Sequence, residues 1–258
     1  MSTRVLRPIE KSTAVEAVTE QIRTQILAGD LLAGALLPPE RELATRFGVN
    51  RLTLRAALSR LEALGLIDVQ HGTGSRVRNF REHVGMEVLP DLLHVMRDMR
   101  GGDVDDYLRI AGDVLDLRRA LVAETVGLAA ERHTEADLVN IRAAIALQAD
   151  RVDDPLAFAR GDFDVAREVV RAARNLAIEL LLNTIVRFPL EDPSLLRAMY
   201  PSPRLQNQHY GTLIDLILSR DPGRARETMR TALEAIDKVT MERLNHGPRR
   251  KRKKEISP

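Results

Sequence analysis

Residues 35–79 read ALLPPERELATRFGVNRLTLRAALSRLEALGLIDVQHGTGSRVRN. In this stretch helix signals and turn signals follow one another closely enough to decide the fold of the front of the chain. Pro38-Pro39 suits the opening of a helix, because proline has no N–H to leave unpaired in the first turn, and Glu40-Arg41-Glu42-Leu43-Ala44 continues it toward Phe47. Gly48 supplies a sharp turn. Asn50 can cap a second helix, in which Leu54, Leu58 and Leu61 recur at helical spacing and line one face. Arg51, Thr53 and Arg55 occupy its first turns. Gly65 ends that helix, Leu66 to Gln70 alternates as a strand, His71-Gly72-Thr73-Gly74 turns, and Ser75-Arg76-Val77-Arg78 returns. Two helices joined by a tight turn and followed by a basic hairpin make a winged helix-turn-helix. In that motif the opening turns of the second helix meet base edges in the major groove of DNA.

Outward from this stretch, residues 14–29 form a preceding helix with Val15, Val18, Ile22 and Ile26 on one stripe and Gly29 near its end. Beyond the wing, Asn79-Phe80-Arg81-Glu82 reads as a short connection, and from there to about residue 245 the pattern is helical. Breaks fall at Gly101-Gly102, His133-Thr134, Asp153-Asp154-Pro155, near Asn175, across Pro189 to Pro203, and at Asp221-Pro222-Gly223. They delimit roughly six or seven helices, a count suited to an antiparallel bundle. Thr134 with Asp137 makes a capping box. The expected architecture is therefore mostly α: an N-terminal winged helix-turn-helix (residues 1–79), a linker (80–88), an all-α helical bundle (89–247), and a basic tail (248–258).

Composition agrees with a helical chain. Hydrophobic residues make up 44% of the 258 but aromatics only 3%, so Leu, Val, Ile and Ala must supply the packing. Cysteine is absent, which excludes disulfides and thiolate metal sites. No apolar run reaches the ~18 residues of a membrane span, and MSTRVLRPIE lacks the features of a signal peptide; a cytoplasmic protein without a membrane partner is expected. The net charge of +2 hides an uneven distribution: residues 1–80 carry 11 Lys and Arg against 8 Asp and Glu, and RRKRKKE at 249–255 is strongly basic, leaving the intervening body acidic. Within residues 41–60, Arg41, Arg46, Arg51, Arg55 and Arg60 face a single acid, Glu42. A basic front on an acidic body is the distribution expected when one part meets phosphate and the other does not.

The run LPPERELATRFGVNRLTLRAALSRLEALGLI, with the glycine-flanked wing, resembles the GntR family of bacterial regulators. The helical remainder, through Arg118 followed by Leu128-Ala129-Ala130, Asp162 followed by Asn175, and SRDPGRARETM, is similar to the FadR branch with its FCD effector domain. The resemblance implies a homodimer on double-stranded operator DNA, with a small-molecule effector inside the bundle. It assigns DNA contacts to Arg41, Arg51, Thr53 and Arg55, with Asn50 at the helix start and His71 and Gly72 at the wing tip. Leu52 stands where the FadR branch carries a polar residue, so a different operator is expected. Many members of the branch hold a divalent metal through an Asp, a His one turn later, and two further histidines. At those positions this chain has Asp162, Ala166, Tyr210 and Ala232, so no metal and no cofactor is expected, although His209 beside Tyr210 could serve after a register shift. Arg118, Asp162, Asn175 and Tyr210 are the candidate effector residues, with an acyl or carboxylate metabolite favoured, a fatty acid or acyl-CoA foremost. Arg118 could equally form an internal salt bridge. Two rivals remain: a metal-dependent organic-acid sensor, and an enzyme or metabolite-binding protein that uses the wing only for docking. No nucleophile–base pair or phosphate loop supports an enzyme.

Flexible cations release counterions but carry no base code. Removing residues 249–258 is therefore expected to weaken binding to all DNA alike and to flatten its salt dependence. Titrations at several salt concentrations, together with an unchanged selected sequence, check this.

Overall fold

A computed structural model describes residues 14–70, 74–98, 104–185 and 187–246. The chain divides into two compact units, residues 1–102 and 103–258. No helix among the described residues is long and apolar enough to cross a membrane.

In the first unit, α1 (Ala14–Leu27), α2 (Glu40–Phe47) and α3 (Arg51–Ala63) precede the strands β1 (Ile67–Gln70) and β2 (Gly74–Val77). Apolar stripes bring the helices together. Val18, Ile22 and Ile26 of α1 meet the inner face of α3, where Leu54, Ala57, Leu58 and Leu61 are all buried, and Leu43 and Ala44 of α2 close the cluster. Gly48 ends α2 at φ 64°, a left-handed conformation that a side chain would resist, and its N–H is returned to the last turn of the helix. Asn50 starts α3 by accepting the Thr53 N–H at 2.8 Å.

The strands pair antiparallel, with Ile67 opposite Val77 and Asp68 opposite Arg76. The free edge of β2 is covered by the segment before α2. Leu37 N–H donates to Ser75 O, Val77 N–H donates to Ala35 O, and Arg76 Nη1 donates to Gly34 O at 2.6 Å. His71 and Gly72, expected at the wing tip, lie outside the described residues. After the wing come α4 (Phe80–His83), a 3-10 turn at Met86–Val88, and α5 (Leu89–Asp98). Here the structure differs from the sequence-based division, because α5 packs on α1 in the first unit and Arg23 Nη1 pairs with Asp91 at 2.8 Å. Leu93 and Val95 bury there, a contact that no local signal in residues 80–98 announces.

The second unit is all helical, with α6 (Val104–Arg132), α7 (Glu135–Ala149), α8 (Pro155–Ala172), α9 (Leu176–Ile185), α10 (Arg187–Glu191), α11 (Pro193–Met199), α12 (Pro203–Gln208), α13 (Tyr210–Leu218) and α14 (Pro222–His246). The segment read as a break across Pro189 to Pro203 instead contributes short helices. Asp192 caps α11 through the Ser194 and Leu195 N–H groups, and a proline opens each of α11 and α12. The two longest helices, α6 and α14, run antiparallel: Glu124 pairs with Arg226, Arg118 with Asp237, and Gly112 approaches Met241. Two apolar clusters fill the unit. One joins Val126, Ala129, Leu138, Ile141, Val169 and Ile217, and the other joins Leu115, Phe158, Val165, Leu195 and Met199. At the α6–α7 corner the capping box of Thr134 and Asp137 forms as expected. Two arginines with left-handed backbone reach it from other helix ends: Arg174 (φ 52°) donates to Asp137, and Arg220 (φ 50°) donates to His133 O. Burial opposes ionisation of Asp137, but its hydrogen bonds from Thr134 and the Arg174 charge hold its carboxyl below the usual aspartate range.

At Gly161 the backbone of α8 passes against Gln148 and Arg151, so an added Cβ would overlap Gln148 Oε1 and Arg151 Nη1. Gln148 is fully buried and its Nε2 is held by Phe158 O at 2.6 Å, so it yields only with strain. Gly161→Ala is expected to destabilise by about 1–3 kcal/mol. Gly211→Ala, where a Cβ meets nothing within 4 Å, is expected to be neutral or mildly stabilising. Denaturant unfolding of the two variants side by side checks the contrast.

Candidate nucleic-acid interface and bundle interior

Burial of Leu54, Leu58 and Leu61 turns the other side of α3 to solvent. Arg51, Leu52, Arg55, Ala56 and Ser59 are exposed there, and Thr53 is half-buried with its N–H on the Asn50 cap. Arg41 of α2 is exposed beside this surface in sequence. Arg55 has a partner that the sequence did not announce. Its Nε donates to Glu40 Oε2 at 2.8 Å, while the terminal guanidinium nitrogens make no bond among the described residues. A carboxylate on Nε orients the fork and leaves its two-pronged end available, the end that can engage guanine O6 and N7 together. Arg46 pairs with Glu42 and Arg60 with Glu16, so these two arginines of the basic run are partly neutralised. Arg51 and Arg41 have no ionic partner among the described residues. The helix start adds its own positive end to this surface.

In the second unit, the structure brings together two of the four candidate effector residues. Asp162 accepts the Tyr210 hydroxyl on Oδ1 at 2.5 Å and the Tyr200 hydroxyl on Oδ2 at 2.7 Å. Gln148 Nε2 also reaches the Tyr210 oxygen at 3.4 Å. Burial pushes both phenols well above the usual tyrosine range, and the neighbouring Asp162 carboxylate adds to the effect. Both therefore stay protonated and donate. Phe158 packs edge-on against Tyr200, with ring centres 5.8 Å apart.

Arg118 takes the internal salt bridge. Its Nη1 donates to Asp237 Oδ1 at 3.2 Å, while Arg119 Nη1 donates to Oδ2 at 2.9 Å. Burial raises the Asp237 pKa above the usual aspartate range, and the two arginines oppose that rise. The Arg118 charge partly opposes the upward shift of the Tyr200 hydroxyl. Asn175 does not join. It caps α9 by accepting the Ile178 N–H at 3.2 Å, a structural role typical of Asn before a helix.

The donor set around Asp162 does not fit a divalent cation. A cation of that kind takes about four N, O or S ligands, whereas the carboxylate here faces two phenol protons. Among the described residues no group of three or more His, Asp or Glu gathers to replace them. Sequence reasoning missed Tyr200, Gln148, Asp237 and Glu40. Tyr200 was hidden in a segment read as a break. Asp237 could have been found, since an acid on an apolar stripe of a long helix demands a partner.

Two family models match the chain: bacterial regulatory proteins, gntR family, over residues 14–77, and the FCD domain over residues 113–235. The chain is 32% identical over 236 residues to the HTH-type transcriptional regulator Mce2R of Mycobacterium tuberculosis, spanning 92% of this chain and 95% of that one. It is 28% identical over 253 residues to the HTH-type transcriptional repressor NanR of Citrobacter rodentium, spanning 95% and 92%. The fold is similar to that of Lar, which controls the expression of the Listeria monocytogenes agr system, at TM-score 0.55 and 17% identity over 91% of this chain and 99% of that one. These relatives are regulators, not enzymes. The winged unit with its outward arginines and the helical unit that follows it in sequence thus have their counterparts in one family, and the chain belongs to the GntR family of bacterial regulatory proteins, as a DNA-binding transcriptional regulator that carries an FCD domain.

Proposed function

We propose that the protein binds a palindromic operator as a homodimer through Arg41, Asn50, Arg51, Thr53, Arg55 and the wing residues His71 and Gly72. In this reading an acidic or acyl metabolite, a fatty acid or acyl-CoA foremost, controls binding from the helical unit. The observation that carries the DNA part is the exposed outer face of α3, with Arg55 steered by Glu40 and Arg51 without an ionic partner among the described residues. Two identical readers match two half-sites. For the effector, the support is chemical. Asp162 has two protonated phenols for neighbours, and apolar Leu115, Phe158, Val165 and Met199 pack around them. A ligand carboxylate would compete with Asp237 for Arg118, while an acyl portion suits the apolar walls.

Arg55→Ala removes one bidentate contact, worth about 1–3 kcal/mol of base discrimination. Loss of operator binding at fixed salt, with melting temperature and oligomeric state unchanged, is the expected result; an equal affinity would sink the assignment. For the helical unit, fatty acids or acyl-CoAs are expected to raise the melting temperature equally with and without a chelator. One zinc, nickel or manganese per chain, retained through gel filtration and lost in Asp162→Ala, would overturn the acyl reading in favour of a metal-dependent organic-acid sensor.

A further inference from the structure

We propose that Leu52 reads the 5-methyl group of a thymine in the major groove, and so sets one base of the half-site by an apolar contact. The proposal rests on the DNA-binding reading of α3 and deepens it.

Leu52 is 80% exposed, more than any other large hydrophobic among the described residues. A single leucine in water is common and by itself signifies nothing; the placement of this one is what matters. It is the second residue of α3, two positions after the Asn50 cap that defines the helix start. The fully buried Leu54 and Leu61 fix the helix about its axis. At ~100° per residue Leu52 then shares the outer face with Arg55, Ala56 and Ser59. Ala56 is also exposed and sits one turn beyond Leu52, so the two make a small apolar strip. Arg51 and Arg55, the two arginines of this surface best placed for base or phosphate contact, flank it.

The groove edges of the four base pairs offer donors, acceptors and one apolar group, the thymine methyl. Leucine has neither donor nor acceptor, so that methyl is the one feature it complements. Set against a cytosine amino group or an adenine edge, it would strip water from a polar atom and return nothing. The same side chain therefore favours thymine and penalises the alternatives, which is how specificity arises from both signs of interaction. Thr53 also carries a methyl, but the residue is half-buried, so it presents less apolar surface to the groove.

The test starts from a selection of random duplexes with the full-length protein at fixed salt. Each thymine of the selected half-site is then replaced in turn by deoxyuridine, which deletes only the methyl. One position per half-site is expected to lose roughly fourfold in affinity, the worth of one buried methyl. In Leu52→Ala, thymine and uracil at that position are expected to bind equally, with the melting temperature unchanged; in Thr53→Ser the uracil penalty is expected to persist. If no half-site is selected, the DNA-reading role of α3 fails and the proposal falls with it. If a half-site is selected but no uracil replacement matters, or if the penalty survives Leu52→Ala or vanishes in Thr53→Ser, the assignment of Leu52 alone is overturned.

Discussion

What the outer surface of α3 presents to solvent depends on the burial of the helix's other side. Leu54, Ala57, Leu58 and Leu61 are withdrawn from water almost completely, and each large one contributes roughly 1.5–3 kcal/mol by that withdrawal. The stripe sets the rotation of α3, and the Asn50 cap sets its starting residue. Together they determine which side chains face outward, so Arg51, Leu52 and Arg55 are placed by leucines on the opposite face. Polar contacts then refine the placement, as when Glu40 takes one nitrogen of Arg55 and leaves the remainder of the guanidinium free.

A different economy governs the helical unit. Its interior holds acids, Asp162 and Asp237, that burial alone would make costly. Each is satisfied by two donors from elsewhere in the chain: phenols for the first, guanidiniums for the second. Neutral donors face Asp162, with no cationic side chain bonded to it among the described residues, whereas Asp237 is paired with two arginines in place. The two acids are thus unlike as sites. The first is held by neutral hydroxyls, and the second joins α6 and α14.

The winged unit was legible almost residue by residue, because its signals are local: prolines at a helix start, Gly48 in a left-handed turn, Asn50 before an apolar period, and two short alternating strands. Its limits were less legible. Helix α5 belongs with α1 through Leu93, Val95 and the Arg23–Asp91 pair, contacts separated by many residues and invisible to periodicity. In the helical unit the longer helices were foreseen, and Asp162 with Tyr210 could be singled out through resemblance. Tyr200 could not, since prolines that usually interrupt helices here start short ones. Arg118 shows a further limit: an arginine within a helix does not reveal its partner, and Asp237 lies on another helix far along the chain. Asn175 was assigned to a ligand through the resemblance, while the amide cap that it forms before α9 explains its presence.

The lengths of the helices distribute stiffness unevenly within the second unit. Helix α14, 25 residues long, spans about 37 Å at 1.5 Å per residue and is bound to α6 by charge pairs in its first turns and past its middle, so bending either member strains the other. By contrast α10, α11 and α12 hold 5, 7 and 6 residues, with few internal hydrogen bonds to break and chain ends at every turn. Tyr200 ends α11. Asp162 is therefore held through Tyr200 by a run of short helices, whereas Arg118 belongs to the long α6, so the two residues sit on backbones of very different length and internal bonding.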